Sequence, residues 1–334
     1  MTIPRPLILL VLGPLCFAAG CAQPIRTDRT FRRGVEALAA GSPKAAIPFL
    51  TEAVASSPDD AEAHAMLAVA YALALEPDLA IQMVKRVHPD PGTIETPGWE
   101  HVALGIAAVV QHRPEDAAEQ LRKVADTASS PADAKQAASQ WLTLTLLLKG
   151  EWSGALDSLT LWPPADDTNG ARTTALLWAV LVHAHQGDAQ SARRCLVKAA
   201  GDVSGPRGLK ALPLAEITRA DNQGLCAAGV AAIRQDKLAE AEKLFTALHA
   251  RQPNAYDAQV WLALVAAAEG KWAETVSRLK NACLEGPPRS RGLANQLFSV
   301  VCALQNRPHS MIHHMLIGQR LRERDRVSGH MPTP

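Results

Sequence analysis

Residues 222–287 read NQGLCAAGVAAIRQDKLAEAEKLFTALHARQPNAYDAQVWLALVAAAEGKWAETVSRLKNACLEGP. One pattern occurs twice in this stretch. Gly229 and Ala263 stand 34 residues apart, and so do Ala241 and Thr275. Pro253 and Pro287 each follow the second of those positions by 12 residues, where a helix should stop. Gly270 stands five residues before Thr275, where a glycine can take the left-handed backbone that ends a helix. The spacing predicts a helix, a tight turn, a second helix and a stop, repeated.

The same two columns run through the whole chain. The first reads Gly34, Ala68, Gly105, Thr143, Val180, Gly229, Ala263 and Leu297; the second reads Ala46, Ala80, Ala117, Ala155, Ala192, Ala241, Thr275 and His309. Partners are always 12 apart, and successive steps are 34, 37, 38, 37, 49, 34 and 34 in both columns. Extra residues therefore fall outside the hairpin cores, in connections that tolerate them. A bulky residue follows the second column by four at Leu50, Val84, Leu121, Leu159, Leu196, Phe245 and Leu279. Gly41, Gly150 and Gly187 match Gly270.

A period of 34 with small residues at both columns resembles the tetratricopeptide repeat family over roughly residues 30–316. The resemblance implies an all-α chain: a right-handed superhelical solenoid of about eight antiparallel helix hairpins, each shielding its neighbour's apolar side. The family's usual tyrosine appears only at Tyr71, and repeats four, five and eight depart most from the pattern. Repeats one to five are expected over residues 30–200 and repeats six to eight over 222–317. Between them lies an insertion, 201–221, with a short helix expected at Leu212–Ala220. That insertion is expected to divide the stack into a five-repeat and a three-repeat arm. Loops are expected at His88–Gly98 and Leu161–Arg172, and a loose polar tail over 318–334.

The balance of 34 basic against 33 acidic residues gives a net charge of +1, which argues against nucleic acid as a partner, since that needs a basic face to neutralise phosphates. The start of the chain carries a different signal. Arg5 precedes an apolar run from Leu7 to Phe17, then Ala18, Ala19 and Gly20 lead to Cys21. This has the form of a secretory leader over 1–20, too short to span a bilayer well. The end resembles the bacterial lipobox, with Ala18 where leucine is usual. The resemblance implies that the Cys21 sulfur takes a diacylglycerol and that cleavage makes Cys21 the new N-terminus. The alternative is a plain secreted protein cut at an incidental cysteine. Ala22 stands in place of an aspartate; by resemblance to the sorting rule of enteric bacteria, that implies the outer membrane, facing the periplasm. Within the acylated N-terminus and linker over 21–29, the stretch from Ala22 to Arg29 would reach ~26 Å at most, at about 3.3 Å per residue, so the body would lie near the bilayer.

In the resembling family the first helix of each hairpin lines a concave surface. The matching positions here are mostly aliphatic: Val69, Leu73, Val102, Ile106, Val110, Leu144, Leu148, Leu177, Leu181, Val230, Val260 and Leu264. They are expected to form a groove for an apolar helix or extended segment of a protein partner. A tightly wound solenoid would instead bury them against itself, and both readings stand at this point. Trp141, Trp178 and Trp261, two residues before the first column, are expected to pack between hairpins, as are Trp152 and Trp272. His309 and His313 share a helix face but lack a third ligand nearby, so no metal is expected. Cys195, Cys226, Cys283 and Cys302 are expected to act as small apolar residues. No phosphate loop, nucleophile elbow, paired-carboxylate motif or zinc-spaced cysteine pair occurs, so no enzyme and no cofactor are expected. The expected role is a scaffold, tethered by acyl chains, that recruits a protein partner in the envelope for pilus, secretion or wall assembly. Self-association through the apolar concave face is the alternative.

Overall fold

The computed structural model describes residues 29–88, 98–161, 171–202, 222–253, 258–285 and 288–327. Among them it is all-α, with sixteen helices. These run in consecutive pairs: α1 (Arg29–Ala39) and α2 (Pro43–Ser56), α3 (Ala61–Leu73) and α4 (Pro77–Val87), α5 (Trp99–Val110) and α6 (Pro114–Ala125), α7 (Ala132–Lys149) and α8 (Trp152–Leu161). Then follow α9 (Ala171–His185) and α10 (Ala189–Asp202), α11 (Asn222–Arg234) and α12 (Leu238–Arg251), α13 (Ala258–Ala268) and α14 (Trp272–Glu285), α15 (Pro288–Leu304) and α16 (Pro308–Val327).

Each pair is joined by the same turn. In the first, the Ser42 N–H donates to the Ala37 carbonyl and the Gly41 N–H to the Leu38 carbonyl. This is the Schellman closure of a helix, which satisfies two carbonyls the helix end leaves open. It recurs down the chain to the last turn, where Arg307 donates to Cys302 and Asn306 to Ala303. The closure needs one left-handed residue per turn: Gly41, Leu75, His112, Gly150, Gly187, Asp236, Gly270 and Asn306 all have φ between 53° and 79°. Second helices then start on a proline at Pro43, Pro77, Pro114 and Pro308. The missing N–H costs nothing at that position, and the fixed φ suits the first turn.

The two columns mark where paired helices cross. Gly34 and Ala46, Gly105 and Ala117, and Gly229 and Ala241 are all buried. The glycines leave room for the bulky residue of the second helix. A β-carbon on Gly34 would lie 2.5 Å from Leu50 Cγ, and one on Gly105 would lie 2.6 Å from Leu121 Cγ. In the fourth pair the same place holds Thr143, whose hydroxyl meets Ser158 Oγ at 2.7 Å.

The structure corrects the register of the last repeat. In every other pair the left-handed residue stands seven after the first column and five before the second. Asn306 therefore assigns Ser299 and Met311 to the columns, not Leu297 and His309. Ser299 and Met311 are both 0 % exposed, whereas His309 is exposed. Met315, 5 % exposed, then fills the bulky position. The strict 34-residue step fails because the last connection is two residues longer.

The chain divides into two compact units, and not at the insertion. One holds the described residues up to 161 together with 302–327; the other holds 171–301, so the boundary falls inside α15. In the first unit, α3 packs on α2 and α5, α5 on α4 and α7, and α16 returns to α1 and α5. In the second, the α9–α10 hairpin packs on both hairpins that follow it. Arg193 pairs with Asp236, Arg234 donates to the Ala200 carbonyl at 2.6 Å, and His185 meets the Trp272 ring at 4.9 Å. Contact with α13 as well as α11 holds residues on both sides of the insertion together, so no three-repeat arm separates there. Residues 203–221, with the short helix expected at 212–220, lie outside the described residues.

The expected polar tail from Gly318 is also corrected. Helix continues to Val327, and Gln319 is 5 % exposed because this stretch of α16 lies on the first hairpin turn. Arg320 there donates to the Gly41 carbonyl at 3.2 Å.

Candidate functional site

The aliphatic positions expected to line a concave groove are core. In the first unit Val69, Leu73, Val102, Ile106, Val110 and Leu144 are between 0 and 8 % exposed. In the second, Leu177, Leu181, Val230, Val260 and Leu264 fall in the same range. Leu148 alone of the twelve is half-buried. The cause is close packing among first helices, α3 on α5, α5 on α7 and α9 on α13, with α16 also on α5. Two of these helices carry continuous buried apolar runs: α13 is buried from Val260 through Ala268, and α5 from Ile106 through Val110. A helix without a polar stripe is enclosed on every side. The same burial removes these positions as an interface between copies of the chain.

The lipidation candidate, Cys21, and the whole leader lie outside the described residues. Trp141, Trp178 and Trp261 are 2, 3 and 8 % exposed, and Trp261 stacks on Phe245 with ring centroids 5.9 Å apart. His309 is taken up by neighbours: its ring lies 5.2 Å from that of His112, and Nε2 is 3.3 Å from the Val110 carbonyl oxygen. Cys195 and Cys302 are free thiols, and burial pushes the Cys302 thiol up to about 11. A thiol so hard to ionise is a poor nucleophile.

Sequence reasoning missed a cleft of about 620 Å³ in the first unit, where α16 crosses the first two hairpin turns. Ser42, Pro43, Lys44 and Ala45 form one side; Leu73, Ala74 and Leu75 form another; Ile312, His313, Leu316 and Arg320 of α16 close the third. Among the described residues no carboxylate lines it, while Lys44, Arg320 and His313 are all exposed.

Leu75 stands out in this wall. It has φ 66°, and a leucine β-carbon in that region costs roughly 1–2 kcal/mol. It is also 45 % exposed, and Leu79, four residues on, is 39 % exposed. Four of the eight turns use glycine at this position and three use His, Asp or Asn. The column was readable in the sequence, where Leu75 replaces the turn glycine. The return of α16 was not, because it joins residues some 240 or more apart along the chain.

Two tetratricopeptide repeat family models match, one at residues 37–91 and one at 226–274. These matches support tetratricopeptide repeats in both units. No curated protein matches the chain. Among solved structures, the Cut9–Hcn1 hetero-tetramer of the APC/C matches at 12% identity with a TM-score of 0.38, over 91% of this chain and 55% of that one. The human IFIT1 dimer with m7Gppp-AAAA matches at 13% identity with a TM-score of 0.37, over 90% and 61%. The chain thus spans little more than half the length of either.

Proposed function

We propose that this protein is a scaffold lipoprotein, held at the outer membrane through acyl chains on Cys21 and facing the periplasm, that recruits a protein partner during envelope assembly. The observation that carries the interaction role is the hairpin array itself, with repeat models matching at 37–91 and 226–274. Arrays of this kind work by presenting surface, since each unit spends its apolar side on its neighbours and leaves edges and ends for others. The tether rests on the leader, in which an apolar run and three small residues lead directly to Cys21. One acyl chain binds a bilayer only marginally, whereas two or more hold firmly. No catalytic motif stands in the sequence, and we read the protein as acting by binding.

Two experiments test this. Replacing Cys21→Ser should move the protein from the membrane to the soluble fraction of cells; unchanged sedimentation would refute the anchor. Photo-crosslinking side chains placed at exposed positions around both units should capture a recurrent polypeptide in intact cells. Absence of any polypeptide adduct at every position would refute the scaffold role.

A further inference from the structure

The cleft under α16 has three properties that together describe an occupant. Its floor is apolar, made by Leu73, Ile312 and Leu316, and Leu75 projects at its edge as a half-exposed leucine. Its rim is cationic: Lys44 and Arg320 are exposed, His313 adds a ring donor, and among the described residues no carboxylate answers them along the lining. Its volume, about 620 Å³, suits a few side chains of a segment and not a folded domain. Leu75 supplies an independent reason to look here. Its strained backbone and its exposure are both unfavourable in the chain alone, and glycine serves at the same position in four other turns. Outliers of this sort concentrate where a ligand is met.

We propose that this cleft docks a polypeptide partner through a short segment in which a bulky apolar side chain is flanked by carboxylates. The proposal rests on the scaffold reading and names the part of the surface that does the recruiting. The apolar side chain enters between Leu75 and Leu316, and the carboxylates meet Lys44 and Arg320. Buried apolar area gives the affinity, and the opposite charges select the sequence and speed the encounter.

The test uses the full chain and a fluorescently labelled peptide, Glu-Leu-Glu-Glu-Leu-Glu, with Lys-Leu-Lys-Lys-Leu-Lys as its counterpart, read by anisotropy. The acidic peptide should bind at least tenfold tighter than the basic one. Leu75→Gly should weaken the acidic peptide at least tenfold while raising the unfolding midpoint, because glycine relieves the turn. Lys44→Glu should weaken it comparably with the midpoint unchanged, since Lys44 is exposed and makes no ion pair among the described residues. Equal binding of both peptides, no binding, or binding that survives both substitutions would overturn the proposal. So would co-sedimentation with phosphatidylglycerol vesicles that both substitutions abolish without any peptide binding, because the cleft would then be a lipid site. Failure here leaves partner capture at other crosslinking positions intact, whereas failure of the scaffold reading removes capture everywhere.

Discussion

Gly229 and Phe245 are fitted to each other: a β-carbon on Gly229 would lie 2.5 Å from Phe245 Cζ and 2.7 Å from Cε1. The ring fills the space the glycine leaves, and it also stacks on Trp261 of the next hairpin with 7° between the planes. One absent side chain thus sets both the crossing of α11 with α12 and the contact of α12 with α13. Gly229→Ala should overpack this crossing and lower stability by about 1–3 kcal/mol. Adding Phe245→Leu should recover part of the loss, since a smaller side chain yields the space. Thermal melts of the single and double variants check both, and a neutral single variant would show that the crossing opens freely.

Ile106 and Leu144 are 1 % and 0 % exposed. Were they groove residues, aspartate there would spoil binding and spare the fold. As core residues they predict the reverse. Ile106→Asp or Leu144→Asp places an unpaired carboxylate among aliphatic side chains, at a cost on the order of 4 kcal/mol or more. Circular dichroism should show reduced helicity or a sharply lowered melting point. Full helicity with an unchanged melt would return these positions to the surface.

Gly41 meets the last helix backbone to backbone. It has φ 62°, and a β-carbon there would touch the Leu316 carbonyl oxygen and lie 2.9 Å from the Arg320 nitrogen. Gly41→Ala should therefore cost about 1–2 kcal/mol for the left-handed backbone alone, and should lift α16 besides. Hydrogen exchange across residues 308–327 should accelerate, with exchange in residues 171–285 unaltered. Unchanged protection of α16 would show that the docking does not depend on this contact.

His101 is 2 % exposed, and its Nδ1 finds no hydrogen-bond partner among the described residues. Burial, with Lys123 and His88 nearby, pushes its pKa down from 6.5 to about 4. Burial does the same to His314, helped by His313 and Arg307, also to about 4. The unfolded chain therefore takes up these protons first as the pH falls. The stability from keeping both rings neutral is whole above 6.5 and is lost progressively from there toward about 4. The urea midpoint should be lower at about pH 5 than at pH 7, and His101→Leu should flatten the difference. A midpoint that does not change over this range would contradict the burial of both rings.

Much of this was legible in the chain. The turns were, because a Schellman closure needs a left-handed residue at one place, and Gly41, Gly150, Gly187 and Gly270 mark it. The crossings were, because Gly34, Gly105 and Gly229 recur where a bulky partner sixteen residues on needs room. The last register was lost because Leu297 and His309 satisfy the spacing while Ser299 and Met311 satisfy the packing. Spacing left groove and self-burial both open for the apolar first helices; the burial reading follows from segments such as AQVWLALVAAA, which have no polar stripe to turn toward water.

What the sequence by itself determined is the hairpin: its two helices, its turn and its crossing are set by residues within some 16 positions of each other, so local spacing carries them. What only the tertiary structure decided is which hairpins meet beyond their immediate neighbours. The contact of α9 and α10 with α13, and the return of α16 to the first turn, join residues far apart in the chain. Such contacts depend on how small rotations between successive hairpins accumulate. No single residue type records that sum, and the cleft beside Leu75 exists only because of it.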